Sequence, residues 1–155
     1  FGRILADLNE ARVHYVLIGG IALIRHGVVR ATRDVDAILA PDLANLDRLR
    51  SLISAWPATR PDGSPVPPGT IAPGRTINLM TPHGELDLLA ERSSPLSFTE
   101  VSARAEVRRV DGVEAAICSL ADLVALKRIA GRERDRLDLR DLEAAHGSLP
   151  DAREG

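Results

Sequence analysis

A chain of 155 residues, 45% hydrophobic and 27% charged, has the ordinary balance of one soluble globular domain, able to bury roughly two-thirds of its unfolded surface. Its formal net charge of −2 excludes a uniformly basic surface, so nucleic acid could be held only through a local basic patch. The longest apolar stretches, such as Val13–Ile24, are cut by Gly19 and Gly20 and are too short to cross a bilayer; with no secretory signal visible after the opening Phe1, which itself leaves room for residues upstream, a cytoplasmic protein without membrane association is expected.

In chain order, Ile4–Arg12 reads as a short helix, with Ile4, Leu5 and Leu8 at helical spacing. His14–Ile18 is apolar and β-branched, a buried strand, and Gly19-Gly20 breaks it before a helix at Ile21–His26 closed by Gly27. Arg33–Leu39 alternates as a strand, and Pro41-Asp42 start a helix over Leu43–Ala55. From Trp56 to Gly74, six of the ten prolines and three glycines erase every hydrophobic period, which predicts a long mobile loop and not a second domain. Strands are expected at Arg75–Met80 and Glu85–Ala90 around the turn Thr81-Pro82-His83-Gly84. A second hairpin joins Arg104–Val110 to Val113–Cys118 through Asp111-Gly112. Cys118, the single cysteine, excludes an intrachain disulfide, suits a reducing compartment and, beside Ala116 and Ile117, reads as buried. Helices Leu120–Ala130, capped by Ser119, and Arg134–His146, ended by Gly147 and Pro150, complete a single domain over 1–150, with a tail at 151–155. The order predicts an α+β (mixed α/β) fold: one mixed sheet flanked by helices, with a C-terminal helical pair.

Three features carry chemistry together. Asp34 and Asp36 lie two apart on a strand and so share a face. Like charges that close repel unless a cation sits between them, and carboxylates suit a hard divalent ion. Asp87 stands opposite Leu86 and Leu88 on a later strand; were that strand to neighbour the first, three carboxylates would converge and could hold two magnesium ions. Gly19-Gly20, at a strand-to-helix corner, would offer backbone N–H groups to an anion beside them. Taken singly, Asp-x-Asp is compatible with a solvent-facing strand and Gly-Gly with a plain turn.

Gly19-Gly20-Ile21-Ala22-Leu23 through His26-Gly27, followed by Arg30-Ala31-Thr32-Arg33-Asp34-Val35-Asp36, resembles the opening signature of the polymerase-β-type nucleotidyltransferases. More narrowly it resembles the minimal bacterial branch that holds the AbiEii-like and MenT-like toxins. Leu79–Leu89 is similar to that branch's third-carboxylate hairpin, and Ser119–Leu123, Lys127, Ala130-Gly131-Arg132 and Arg134–Leu139 to its C-terminal motif, so that residues 13–145 are covered. The resemblance implies a metal-dependent enzyme that moves a nucleoside monophosphate from an NTP to an acceptor hydroxyl and releases pyrophosphate. Asp34, Asp36 and Asp87 would hold one or two Mg2+ (or Mn2+) ions, Asp87 would serve as base or ligand, and Lys127 would neutralise phosphate. Gly19, Gly20, Thr32, Arg33, Lys127, Arg132 and Asp138 would contact the nucleotide, here ATP or another NTP. Implied partners are tRNA as acceptor and a cognate antitoxin; an antitoxin that adenylylates a partner toxin, and a non-catalytic nucleotide- or partner-binding domain, are the alternatives. Antibiotic adenylylation is disfavoured by the lack of an extra helical domain. Many members carry Gly-Ser where this chain has Gly19-Gly20, so no hydroxyl is available at that corner.

Of the 20 basic residues Lys127 alone is lysine, either because its site needs a compact ammonium or by survival in an arginine-rich composition. It falls among Leu120, Leu123 and Val124 on one helical face and must snorkel outward or meet a negative partner. On the last helix Arg134, Asp138 and Asp141 share a face and could form a ladder of exposed ion pairs, while Asp135 is placed to orient Arg132 or Lys127. Arg25, Arg30 and Arg33 either contact an acceptor phosphate or solvate a loop. His26 and His83 have no Cys or His partner at metal spacing, so zinc is not expected.

Overall fold

The computed structural model describes residues 1–93 and 95–151; of the tail expected at 151–155, residues 152–155 lie outside the described residues. Six helices and six strands follow in the order α1 (Gly2–Glu10), β1 (Tyr15–Leu17), α2 (Gly19–Arg25), β2 (Asp34–Leu39), α3 (Leu43–Ala55), β3 (Ile77–Thr81), β4 (Gly84–Leu89), α4 (Phe98–Arg104), β5 (Glu106–Val110), β6 (Val113–Ile117), α5 (Leu120–Ala130) and α6 (Glu133–His146). The strands form one mixed sheet in the order β3-β4-β2-β1-β6-β5. β2 runs parallel to β4 and antiparallel to β1, β1 is parallel to β6, and β3–β4 and β5–β6 are antiparallel hairpins. The mixed α/β class expected from the element order is the class observed.

The register gives half of the sheet two unlike faces. Val35 and Ala37 of β2 stand beside Leu86 and Leu88 of β4, which pair in turn with Leu79 and Ile77 of β3. All six are buried, a continuous apolar floor. Because side chains alternate along a strand, Asp34 and Asp36, Asp87, and Asn78 take the opposite face. The same alternation that builds the core therefore gathers the carboxylates.

Local chemistry sets the element ends. Asp42 caps α3 by accepting from the Asn45 N–H at 2.9 Å, and Ser119 caps α5 through the Asp122 N–H at 3.1 Å. Asp111 and Gly112, with φ of 47° and 83°, make the tight β5–β6 turn that their sequence demands. Helix α2 begins at Gly19 and not at Ile21, with Gly19 itself at φ of 59°. Helix α4 was not expected at all. Ser97 and Glu100 form a full capping box at its start, the signal that could have found it. Only Val101 is buried in it, so no apolar period marks its body.

The proline-rich segment after α3 is attached at three points. The Trp56 indole donates to Asp7 Oδ2 at 3.0 Å, Thr59 exchanges two backbone hydrogen bonds with Met80 on β3, and the Ile71 carbonyl accepts from Arg50 Nε at 3.0 Å. Among the described residues no helix is long and apolar enough to cross a membrane.

Candidate active site

Parallel pairing of β2 with β4 sets Asp36 directly beside Asp87, and Asp34 lies one pleat earlier on the same face. One carboxylate oxygen from each of the three lies within 4.8 Å of the other two. The convergence that the sequence left conditional on strand order is thus realised. It is costly as it stands: burial first, then Asp34 and Asp87, push the Asp36 carboxyl up to about 6, although the Gly20 N–H and Lys127 act against the rise. Such a cluster fits a hard divalent cation, since every donor is a carboxylate oxygen and a bound dication would relieve the repulsion.

The glycine corner packs against this cluster. Gly20 N–H, expected to face an anion, donates to Asp36 Oδ2 at 3.3 Å. A Cβ on Gly19 would sit 2.0 Å from that same oxygen, and one on Gly20 would sit 2.3 Å from Thr32 Oγ1. Neither position has room for a side chain. The space beside Gly20 is filled by Thr32, whose hydroxyl donates to Asp34 Oδ1 at 2.9 Å. A hydroxyl therefore reaches the triad after all, from Thr32 and not from the corner.

Across a cleft of about 260 Å³ stand α5 and α6. Lys127 is 12% exposed, and its Nζ lies 3.0 Å from Asp135 Oδ1 and 2.6 Å from Asp138 Oδ2. Arg30 pairs with the other Asp138 oxygen at 2.6 Å, and Arg132 Nε with Asp135 Oδ2 at 2.7 Å. Burial alone would raise the Asp135 carboxyl, but hydrogen bonds from Arg132 and Lys127 outweigh it and hold it below its ordinary value. Within this paired group three cations share two buried carboxylates, one positive charge in excess. Asp135 does orient both Arg132 and Lys127, as the helix pattern suggested. The expected ladder of exposed ion pairs does not form, because α6 turns Asp138 inward to Lys127 and Arg30.

Gly19, Gly20, Asp34, Asp36, Asp87, Lys127 and Arg132 all line the cleft. Thr32 reaches it through Asp34, Asp138 is buried behind Lys127, and Arg33 stands exposed before β2, outside the lining. Arg30 joins the site, whereas Arg25 does not. His26 Nε2 lies 2.9 Å from the Cys118 carbonyl, a structural tie between α2 and the end of β6. Asn78 escaped the sequence reading. Its side-chain amide donates to Asp87 Oδ1 at 2.8 Å from the neighbouring strand, and only strand pairing brings residues nine apart together in this way.

A family model described as "Nucleotidyltransferase of unknown function (DUF6036)" matches residues 3–146. No curated protein matches the sequence significantly. Among solved structures, the chain is similar to an antigenic nucleotidyltransferase-like protein from Paracoccidioides brasiliensis, with 18% identity, a TM-score of 0.64, and coverage of 97% of this chain and 76% of that one. It is similar also to a nucleotidyltransferase candidate from Thermotoga maritima, at 12% identity and TM-score 0.62 over 89% and 86% of the two chains. A lincomycin-bound lincosamide antibiotic adenylyltransferase, LnuA, matches at 13% identity and TM-score 0.59 over 92% of this chain and 94% of its own. At these identities the likeness shows a shared nucleotidyltransferase fold.

Proposed function

The chain belongs to the DUF6036 nucleotidyltransferase family, and from that membership we propose that it transfers a nucleoside monophosphate from an NTP to an acceptor hydroxyl. The observation that carries this reading is the convergence of Asp34, Asp36 and Asp87 on one face of the sheet, opposite the paired group of Lys127, Arg30 and Arg132 with its excess positive charge. In the reaction the acceptor oxygen attacks the α-phosphorus, the bond to the β-phosphate breaks, and pyrophosphate leaves. Mg2+ held by the three aspartates, one ion or two and with Mn2+ as a substitute, would neutralise the triphosphate and acidify the acceptor hydroxyl. Thr32 holds Oδ1 of Asp34 and Asn78 holds Oδ1 of Asp87, which restrains the rotation of both carboxylates. In this reading Asp87 takes the hydroxyl proton or serves as a metal ligand, and Lys127, whose Nζ bonds to Asp135 and Asp138, meets the phosphates.

The resemblance to AbiEii-like and MenT-like toxins makes tRNA the first acceptor to test, with toxin–antitoxin pairing as the biological setting. Adenylylation of a partner protein is the second. A small-molecule acceptor is the third, since the lincosamide adenylyltransferase is matched over 94% of its length. Incubation with each labelled NTP, magnesium and either tRNA, whole lysate or lincomycin distinguishes these. Label on RNA supports the first reading, label on protein the second, and label on the drug the third. Binding of NTP without transfer, unaffected by Asp36→Ala, would sink the enzymatic reading.

Two substitutions probe the site's supports. Lys127→Arg keeps the charge, but a planar guanidinium cannot occupy a seat whose two carboxylates are already shared with Arg30 and Arg132. Turnover is expected to fall at least about 10-fold, roughly 1.4 kcal/mol in the barrier; unchanged kcat would show that any cation suffices. Asn78→Ala is expected to lower kcat by about 3- to 10-fold with little change in NTP affinity, because it frees Asp87 to rotate without removing a ligand. Asn78→Gln should not rescue it, whereas equal losses of kcat and NTP affinity would indicate simple damage to the fold.

A further inference from the structure

Five cationic side chains line the cleft, but they are not equivalent. Arg30, Lys127 and Arg132 are already paired with Asp135 or Asp138. Arg92 and Arg134 have no hydrogen-bonding or ion-pair partner among the described residues. Glu91, next to Arg92 in the chain, turns its Oε1 to the Phe98 N–H at 2.9 Å, at the start of α4, and forms no ion pair with Arg92. Two guanidiniums, each a planar fork suited to a phosphate, are therefore left for ligands.

They belong to opposite walls. Arg134 lies in the first turn of α6, two residues beyond Arg132, on the side of Lys127. Arg92 follows β4, three residues beyond Leu89, on the side of the strand that carries Asp87. In an in-line displacement the attacking and leaving oxygens lie on opposite sides of phosphorus. With Lys127, Arg132 and Arg134 gathered where the pyrophosphate would leave, the acceptor must approach from the β4 wall, where Arg92 stands. We propose that Arg92 is an anion subsite for the acceptor, and hence that the acceptor carries a phosphate near its reacting hydroxyl and is not a polycation. This rests on the nucleotidyl-transfer reading above. A free guanidinium at the acceptor's entrance attracts a phosphate-bearing molecule and repels an aminoglycoside, so the same side chain supplies both recognition and rejection.

The test separates the two walls and the two readings. Binding of α,β-methylene-ATP with Mg2+ is measured first for the wild type, Arg92→Ala, Arg92→Lys and Arg134→Ala. Arg92→Ala is expected to bind it within about 2-fold of wild type and Arg134→Ala about 10-fold more weakly. The analogue-saturated proteins are then titrated with a 5′-phosphorylated RNA trinucleotide, with ribose 5-phosphate and with tobramycin. Binding of either phosphate probe should weaken about 10-fold in Arg92→Ala, with a shallower salt dependence, and recover in part in Arg92→Lys. The two phosphate probes distinguish a polynucleotide end from a small sugar phosphate as the source of the anion. Equal loss of the ATP analogue in Arg92→Ala, unchanged or absent binding of both phosphate probes, or preferential binding of tobramycin by the wild type would each overturn the proposal. Where the ATP analogue does not bind, the α,β-methylene analogues of the other three NTPs take its place, and failure of the wild type to bind any of the four would instead remove the nucleotidyl-transfer reading on which it stands.

Discussion

Replacing Asp36 with asparagine is expected to abolish nucleotidyl transfer and, at the same time, to make the metal-free protein more stable at pH 7.5. The loss of transfer should be on the order of 10²- to 10³-fold, the scale of removing one electrostatic partner of a transition state. The gain in stability follows from the carboxyl's titration. In the fold Asp36 is raised from 3.8 to about 6, by burial and then by its acidic neighbours. Below pH 3.8 the group is protonated in both folded and unfolded chains. As pH rises through the interval up to 6, the unfolded chain loses its proton while the fold retains it, so stability falls. Above that interval the deficit is complete, of order 2–3 kcal/mol at about 1.4 kcal/mol per unit. Asparagine removes the charge yet can still accept from the Gly20 N–H. In EDTA at pH 7.5 its melting temperature should exceed wild type by roughly 4–12 °C, at about 2–4 °C per kcal/mol for a chain of this size. The difference should vanish near pH 3.5. Millimolar Mg2+ should then stabilise the wild type and not the variant. A variant that melts below wild type at pH 7.5 without metal would show that the carboxylate is not held against repulsion.

Gly19→Ala should be the most damaging single-methyl change in the protein. Its Cβ would lie 2.0 Å from Asp36 Oδ2, 2.5 Å from Cγ and 2.7 Å from Cβ, so the whole aspartate would have to swing away. The backbone there has φ of 59°, which costs a non-glycine residue about 1–2 kcal/mol before any clash. Together these predict a loss near 3 kcal/mol, or roughly 6–12 °C in Tm, and the disappearance of transfer. Gly63→Ala is the matched control: φ is 81° and no atom lies within 4 Å of the added carbon. It should cost about 1 kcal/mol and leave kcat unchanged. Equal effects at the two glycines would show that backbone strain alone matters and that Asp36 has freedom to move.

What the sequence determined by itself was whatever depends on neighbours two to four residues apart. Alternation in Asp34-Val35-Asp36 and Glu85-Leu86-Asp87-Leu88 put carboxylates on one side and the apolar floor on the other, and the observed register agrees. Asp42, Ser119 and Asp111-Gly112 marked element ends through hydrogen bonds and φ values that they satisfy locally. Helix α4 shows the limit of periodicity: with one buried residue it has no apolar stripe to repeat, and its capping box was the only mark.

Tertiary structure alone decided the rest. That β2 and β4 are neighbours, which closes the carboxylate triad, is a fact of strand order, and the same alternating patterns are compatible with many orders. Arg30 meets Asp138 across 108 positions, and the Trp56 indole meets Asp7 across 49. The distinction between cations held by carboxylates and those left for ligands exists only once such pairs are formed. A local pattern fixes which side of a strand or helix a residue occupies; what that side faces is set by packing, which minimises buried charge and exposed apolar surface over the whole chain at once.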